Sequence, residues 1–182
     1  MSASKISVIG GGSFGTVIAN ITADTGHDVW FWMRSKSQAA DINKHHENSQ
    51  YLPGYKLNES VFATEDMVEA VSGSEVIFVA VPSSSFRQVV KEVVKHASAD
   101  AILVSTTKGI EPGTFLLMSQ VLKEEAPNAR IAVLSGPNLA KEIASKQLTG
   151  TVVASSDETV RDLVKNILKS EFFKVYANDD MF

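Results

Sequence analysis

The chain has 182 residues, enough for one domain with a sizeable core and few for two. Hydrophobic residues make up 44% and charged residues 21%, and the net charge of −4 (17 basic against 21 acidic) gives no electrostatic case for nucleic acid or an anionic membrane as partner. With no cysteine, disulfides, thiolate metal sites and a cysteine nucleophile are excluded.

The run Ile6 to Ile9 is too short for a signal peptide or a membrane span, so a cytoplasmic location is expected. That run reads as a buried strand. Phe14, Val17, Ile18 and Ile21 follow at helical spacing, and Gly26 ends the helix. Asp28 to Trp32 is a second strand, followed by a polar helix from Lys36 to His46. Asn48 to Asn58, with Pro53 and Gly54, reads as an ordered loop, and a short helix lies near Asp66 to Val71. Glu75 to Val81 is the strongest strand and Pro82 stops it. The next helix carries Phe86, Val89, Val90, Val93 and Val94, with Ser83 to Ser85 as caps at its start. Strands at Ala101 to Ser105 and Ile131 to Leu134 flank a helix from Thr114 to Glu125. Thr151 to Ala154 is a strand, Ser155 with Glu158 forms a capping box for a helix carrying Val160, Leu163, Val164, Ile167 and Leu168, and Phe172 to Tyr176 is a last strand. Such alternation of apolar strands and helices predicts an α/β fold, a Rossmann-type doubly wound and mainly parallel sheet with helices on both faces, in one domain over 1–182.

Gly10, Gly12 and Gly15 form G-x-G-x-x-G where the first strand gives way to the first helix. In that context Gly10 allows the tight turn, Gly12 lets backbone approach a pyrophosphate, and Gly15 lets helix pack close to strand. Ser13 opens the helix, whose N-terminus offers N–H groups to phosphate. A plain flexible turn is the competing reading. An NAD(P)-type dinucleotide is therefore the expected cofactor. No acidic residue stands between Val29 and Ala40, where a ribose 2′-hydroxyl would be gripped, and Arg34 and Lys36 stand there instead. That pair favours the 2′-phosphate of NADPH over NADH, unless it is only a solvated helix start.

Lys108 follows a strand and so sits at the carboxyl edge where open α/β sheets bind ligands, although exposed lysines are common. Ser135-Gly136-Pro137-Asn138 also follows a strand, as a ligand-facing turn or as a helix N-cap. His27, His45, His46 and His96 lack metal-ligand spacing and read as surface residues, so no metal is expected.

Taken with Tyr51-Leu52-Pro53, Val79 to Ser83, Thr107-Lys108-Gly109-Ile110-Glu111, Ala140, Glu142 and Asn178-Asp179-Asp180, these motifs resemble the N-terminal domain of the bacterial-type NAD(P)-dependent glycerol-3-phosphate dehydrogenases along nearly the whole chain. The resemblance implies interconversion of dihydroxyacetone phosphate and sn-glycerol 3-phosphate for phospholipid synthesis. It implies that Ser13, Phe14, Arg34, Lys108 and Ala140 contact the cofactor, and that Lys108, Gly136 and Asn138 lie at the substrate, with Lys108 the catalytic cation. Asn138-Leu139 depart from the family's usual small hydroxyl residue followed by Phe, and Gly11 replaces a frequent Ala.

Members of that family run on into a helical domain bearing a second lysine, the proton acceptor, and most of the phosphate site. These 182 residues are therefore expected to be a truncated, cleaved or shortened product that binds cofactor and turns over slowly. The alternatives are a dinucleotide-binding module without turnover and a related 3-hydroxyacid or ketopantoate-type dehydrogenase. Apolar surface near Phe172, Phe173, Met181 and Phe182 would favour a homodimer.

Overall fold

A computed structural model describes residues 4–181, so Met1 to Ala3 and Phe182 lie outside it. Eight strands form one sheet in the order β3-β2-β1-β4-β5-β6-β7-β8. The strands are β1 (Lys5–Ile9), β2 (Asp28–Trp32), β3 (Val61–Thr64), β4 (Val76–Val79), β5 (Ile102–Ser105), β6 (Arg130–Ser135), β7 (Thr149–Ala154) and β8 (Phe173–Asn178). The pairs from β3 to β6 are parallel, β7 runs antiparallel to β6, and β8 is parallel to β7. The expected doubly wound α/β fold is the observed one.

Neighbouring residues on the central strands serve opposite cores. Val8, Phe78, Val104 and Ala132 pack under α1 (Ser13–Asp24), α2 (Lys36–His45), α6 (Ala140–Ala144) and α7 (Glu158–Ile167). Ile9, Val79, Leu103 and Ile131 pack under α3 (Met67–Val71), α4 (Ser83–Val94) and α5 (Met118–Glu125). Every residue of β4 and β5 is buried, which is why these strands read as unbroken apolar runs.

β3 is absent from the sequence reading. It has four residues, lies at the sheet edge, and its own pattern is too short to mark it. Asn43 of α2 completes it from outside, its amide accepting from Ala63 N and donating to Ala63 O, each at 2.8 Å. A side chain thus takes the place of a further strand and closes an edge that would otherwise invite pairing.

Several boundaries differ from expectation. β4 ends at Val79, and α4 starts at Ser83 with Pro82 as its uncapped N-cap residue, so Ser83 to Ser85 are the first helical turn and not caps. α5 starts at Met118, because Phe115 adopts φ 60° and residues 110–117 close a turn of their own, with Phe115 N donating to Glu111 O and Glu111 N to Leu116 O. The cap of α7 is Asp157, which accepts from Thr159 N and Val160 N; Ser155 is buried, donates to Ile131 O at 2.7 Å, and forms no capping box with Glu158. Of the histidines expected at the surface, His45 is exposed, while His27, His96 and His46, at the left-handed end of α2, are half-buried. Of the aromatic and methionine residues expected at an apolar end, Phe173 is in the core and Met181 packs against the α3–α5 side, which leaves Phe172 exposed together with Leu148 and Tyr176.

Candidate functional site

The strand order reverses between β1 and β4, so the crevice beyond their carboxyl ends is the ligand position of this architecture. The glycine turn lies in it. Gly10 sits at φ +127°, and a Cβ there would stand 2.4 Å from Ala80 O. A Cβ on Gly15 would stand 2.0 Å from Gly10 O, so α1 reaches β1 only because residue 15 has no side chain. A Cβ on Gly12 would meet nothing within 4 Å. The space over Gly12 is open to a ligand, and the uncapped N-terminus of α1 faces outward beside it.

A clamp that sequence reasoning missed holds this turn. Asn48, 1% exposed, donates to Gly11 O (3.0 Å) and Thr16 Oγ1 (2.7 Å) and accepts from Gln38 Nε2 (3.1 Å). Gln38 also donates to Gly11 O at 2.7 Å. Nothing in the spacing of Asn48 signals this, since its partners lie on two other elements. Packing has closed on Gly11 as well, since a Cβ there would lie 2.7 Å from Met33 Cβ. Asn48→Ala removes both donors from a buried site and is expected to cost about 1–3 kcal/mol of stability, read as a fall in Tm, and to loosen dinucleotide binding.

From the turn a cleft of about 420 Å³ extends past Met33, Arg34, Ser35, Tyr51 and Pro82. Ser13 donates its hydroxyl to Tyr51 O at 2.8 Å, so what it offers a phosphate is its backbone N–H. Arg34 is exposed, lines the cleft and has no ion-pair partner among the described residues. Lys36 corrects the sequence reading: it does not line this cleft, and its ammonium stands 3.5 Å from the Glu65 carboxylate.

On the other side of the turn a cavity of about 240 Å³ brings together Phe14, Thr107, Lys108, Asn138 and Ala140. Lys108 is placed by its neighbours. Thr106 and Thr107 bind back to the end of β4, with Thr107 Oγ1 donating to Val81 O at 2.7 Å. The Lys108 ammonium donates to Gly136 O at 2.7 Å, which joins the two carboxyl-edge loops. Asn138 is not a helix cap, since Leu139 holds that position in α6. Its side chain is 4% exposed, and its Nδ2 donates to Thr151 Oγ1 at 2.9 Å. Its Oδ1 is shut off from solvent and has no hydrogen-bond partner among the described residues, while Asn138 itself helps line the cavity. The residues present thus fit a dinucleotide: an open glycine for the pyrophosphate, the exposed Arg34 at one end and Lys108 beside Asn138 at the other.

Glu111 has a structural task. It is bidentate to Arg87, with Nε and Nη2 each at 2.7 Å, and accepts from Thr114 at 2.5 Å, while Glu124 and Glu125 complete the cluster on Arg87. This pins the loop that leaves Lys108. The Arg87 guanidinium, then Thr114, hold the Glu111 carboxyl at about 2. A depressed carboxyl contributes its stability above its unfolded value of 4.5 and loses it as pH falls towards 2. Thermal melts of the wild-type protein between pH 5 and 2 are expected to fall more steeply than those of Glu111→Gln, and parallel curves would refute the assignment.

The family model for the NAD-dependent glycerol-3-phosphate dehydrogenase N-terminus matches residues 5–161. The chain is 50% identical over 179 residues to the glycerol-3-phosphate dehydrogenase [NAD(P)+] of Pseudomonas fluorescens, covering 97% of this chain and 52% of that protein. It is 48% identical over 178 residues to the protein of that name from Teredinibacter turnerae, covering 98% and 52%. The crystal structure of glycerol-3-phosphate dehydrogenase from Coxiella burnetii superposes with a TM-score of 0.92 at 30% identity, over 98% of this chain and 55% of that one. The chain thus spans about half the length of the relatives it matches. With glycine turn, Lys108 loop and Gly136-Asn138 loop converging on one sheet edge, it belongs to the family of NAD(P)-dependent glycerol-3-phosphate dehydrogenases, as their N-terminal, cofactor-binding part.

Proposed function

We propose that the chain is the cofactor half of a cytoplasmic sn-glycerol-3-phosphate dehydrogenase that reduces dihydroxyacetone phosphate with NAD(P)H, NADPH favoured, for glycerophospholipid synthesis. The observation that carries this is the 240 Å³ cavity, where Lys108 and Asn138 flank the place that Phe14 and Ala140 leave for a nicotinamide. A dihydronicotinamide held there would supply a hydride to the carbonyl carbon of the substrate, whose C=O π pair would move onto oxygen and take a proton. A fixed ammonium at Lys108 stabilises the developing charge. Gly136 and Asn138 line the substrate, and Ser13, Phe14, Arg34 and Ala140 hold the cofactor together with Gly10, Gly12 and Gly15. The family's second lysine, which handles the proton, belongs to the helical half of the relatives. Exposed Phe172, Leu148 and Tyr176 support self-association, in the form of a homodimer.

The test is a fluorescence titration of the 182 residues with NADPH and NADH, followed by an assay of dihydroxyacetone phosphate reduction with a 2-keto acid as control substrate. Binding of both dinucleotides with turnover only when the helical half is present is expected. Failure to bind either would overturn the reading, and full turnover by these residues alone would overturn the division of labour.

A further inference from the structure

The cofactor cleft carries a charge that the sequence reading did not count. β3 delivers Glu65 to the carboxyl end of the sheet beside β2, with Thr64 in register with Trp32 and Met33 N donating to Thr64 O at 3.0 Å. Trp32 Nε1 donates to Glu65 O at 3.0 Å, so the backbone at Glu65 is fixed next to the segment that leads into Arg34. The Glu65 carboxylate points to Lys36, 3.5 Å away. Lys36 is absent from the lining of the cleft, whereas Arg34 and Ser35 belong to it. Asp66, next in the chain, spends its carboxylate on Val68 N and Glu69 N as the cap of α3.

We infer that Glu65 is a specificity-determining residue: by engaging Lys36 it withholds a second cation from the ribose 2′ position and keeps the site open to NADH as well as NADPH. This rests on the dinucleotide reading above. The 2′ substituents differ in charge, a neutral hydroxyl in NADH against roughly −1.5 to −2 on the phosphate monoester of NADPH. Arg34 suffices to receive that phosphate. A further cation raises affinity for NADPH alone, and the Glu65 carboxylate both occupies that cation and repels the phosphate. The effect is electrostatic across a solvated gap, so it is a few-fold in size and screened by salt.

The experiment titrates NADPH and NADH against the wild-type chain, Glu65→Gln, Lys36→Gln and the double variant, at low and high salt. The side chain of Glu65 is exposed and its structural bond uses the backbone carbonyl, so Glu65→Gln keeps the fold. NADPH is expected to bind Glu65→Gln about three- to ten-fold more tightly at low salt, with NADH unchanged, and the gain is expected to shrink at high salt and in the double variant. An unchanged NADPH-to-NADH ratio in Glu65→Gln overturns the inference and leaves the dinucleotide reading standing. An equal gain for both cofactors overturns it too, because the effect would then fall on the shared pyrophosphate. A gain that survives whole in the double variant overturns it as well, since the proposal runs through Lys36. Failure of the wild-type chain to bind either dinucleotide removes the reading itself.

Discussion

Gly12→Ala is expected to weaken NADPH and NADH binding at least about ten-fold, a loss of about 1.4 kcal/mol, while Tm stays within a few degrees of the wild-type value. The fold places no demand on this position. Gly12 has φ −83° and ψ −179°, which any residue adopts, and a Cβ there meets no protein atom within 4 Å. As N-cap of α1, alanine is worse than glycine by up to about 1 kcal/mol, and a smaller unfolded-state entropy offsets about 0.4–1 kcal/mol of that. What a methyl group does take is the space through which a pyrophosphate approaches the backbone. Gly15→Ala is the contrasting control. Its Cβ meets a backbone oxygen at 2.0 Å, so α1 must move off β1, at a cost of about 3 kcal/mol or more. Calorimetry together with a fluorescence titration separates the two. Equal losses of stability in both variants, or undiminished binding by Gly12→Ala, would show that the turn serves the fold and not a ligand.

On the proposed function, Lys108→Ala is expected to lower kcat for dihydroxyacetone phosphate reduction by about 10²- to 10³-fold, the usual effect of removing one fixed donor from a developing oxyanion. Its side chain is exposed and its bond to Gly136 O is made at the surface, so stability is expected to change by less than about 1 kcal/mol. Dinucleotide binding should weaken far less than turnover, because Arg34 and the glycine turn lie elsewhere along the cleft. Steady-state kinetics at saturating cofactor, with a parallel NADPH titration, would measure this. A kcat within ten-fold of wild type would remove Lys108 from the chemistry and leave it a loop-joining residue.

The sequence by itself determined the parts whose causes are local. The turn at Gly10 to Gly15 follows from glycines placed where a strand gives way to a helix, and each steric demand expected of Gly10 and Gly15 is met within a few residues or by the adjacent strand. β4 and β5 were legible because strands buried on both faces are apolar at every position. The positions of Lys108, Gly136 and Asn138 near one edge followed from parallel strands ending on the same side.

Only the tertiary structure decided which polar groups meet. β3 exists because Asn43 and β2 complete its hydrogen bonds, not because four residues favour a strand. Asp157 rather than Ser155 caps α7 because Ser155 is drawn into the core by Ile131 O. The clamp of Asn48 on Gly11, the hold of Arg87 on Glu111, and the reach of Lys108 to Gly136 O are all meetings of segments far apart in the chain. The same holds for the cofactor end of the site, where two neighbouring cations in sequence became one free arginine and one lysine held by Glu65. Periodicity and turn chemistry act over a few residues and can be read from them. A hydrogen bond or ion pair depends on where packing brings its second partner, and that is settled only when the chain has folded.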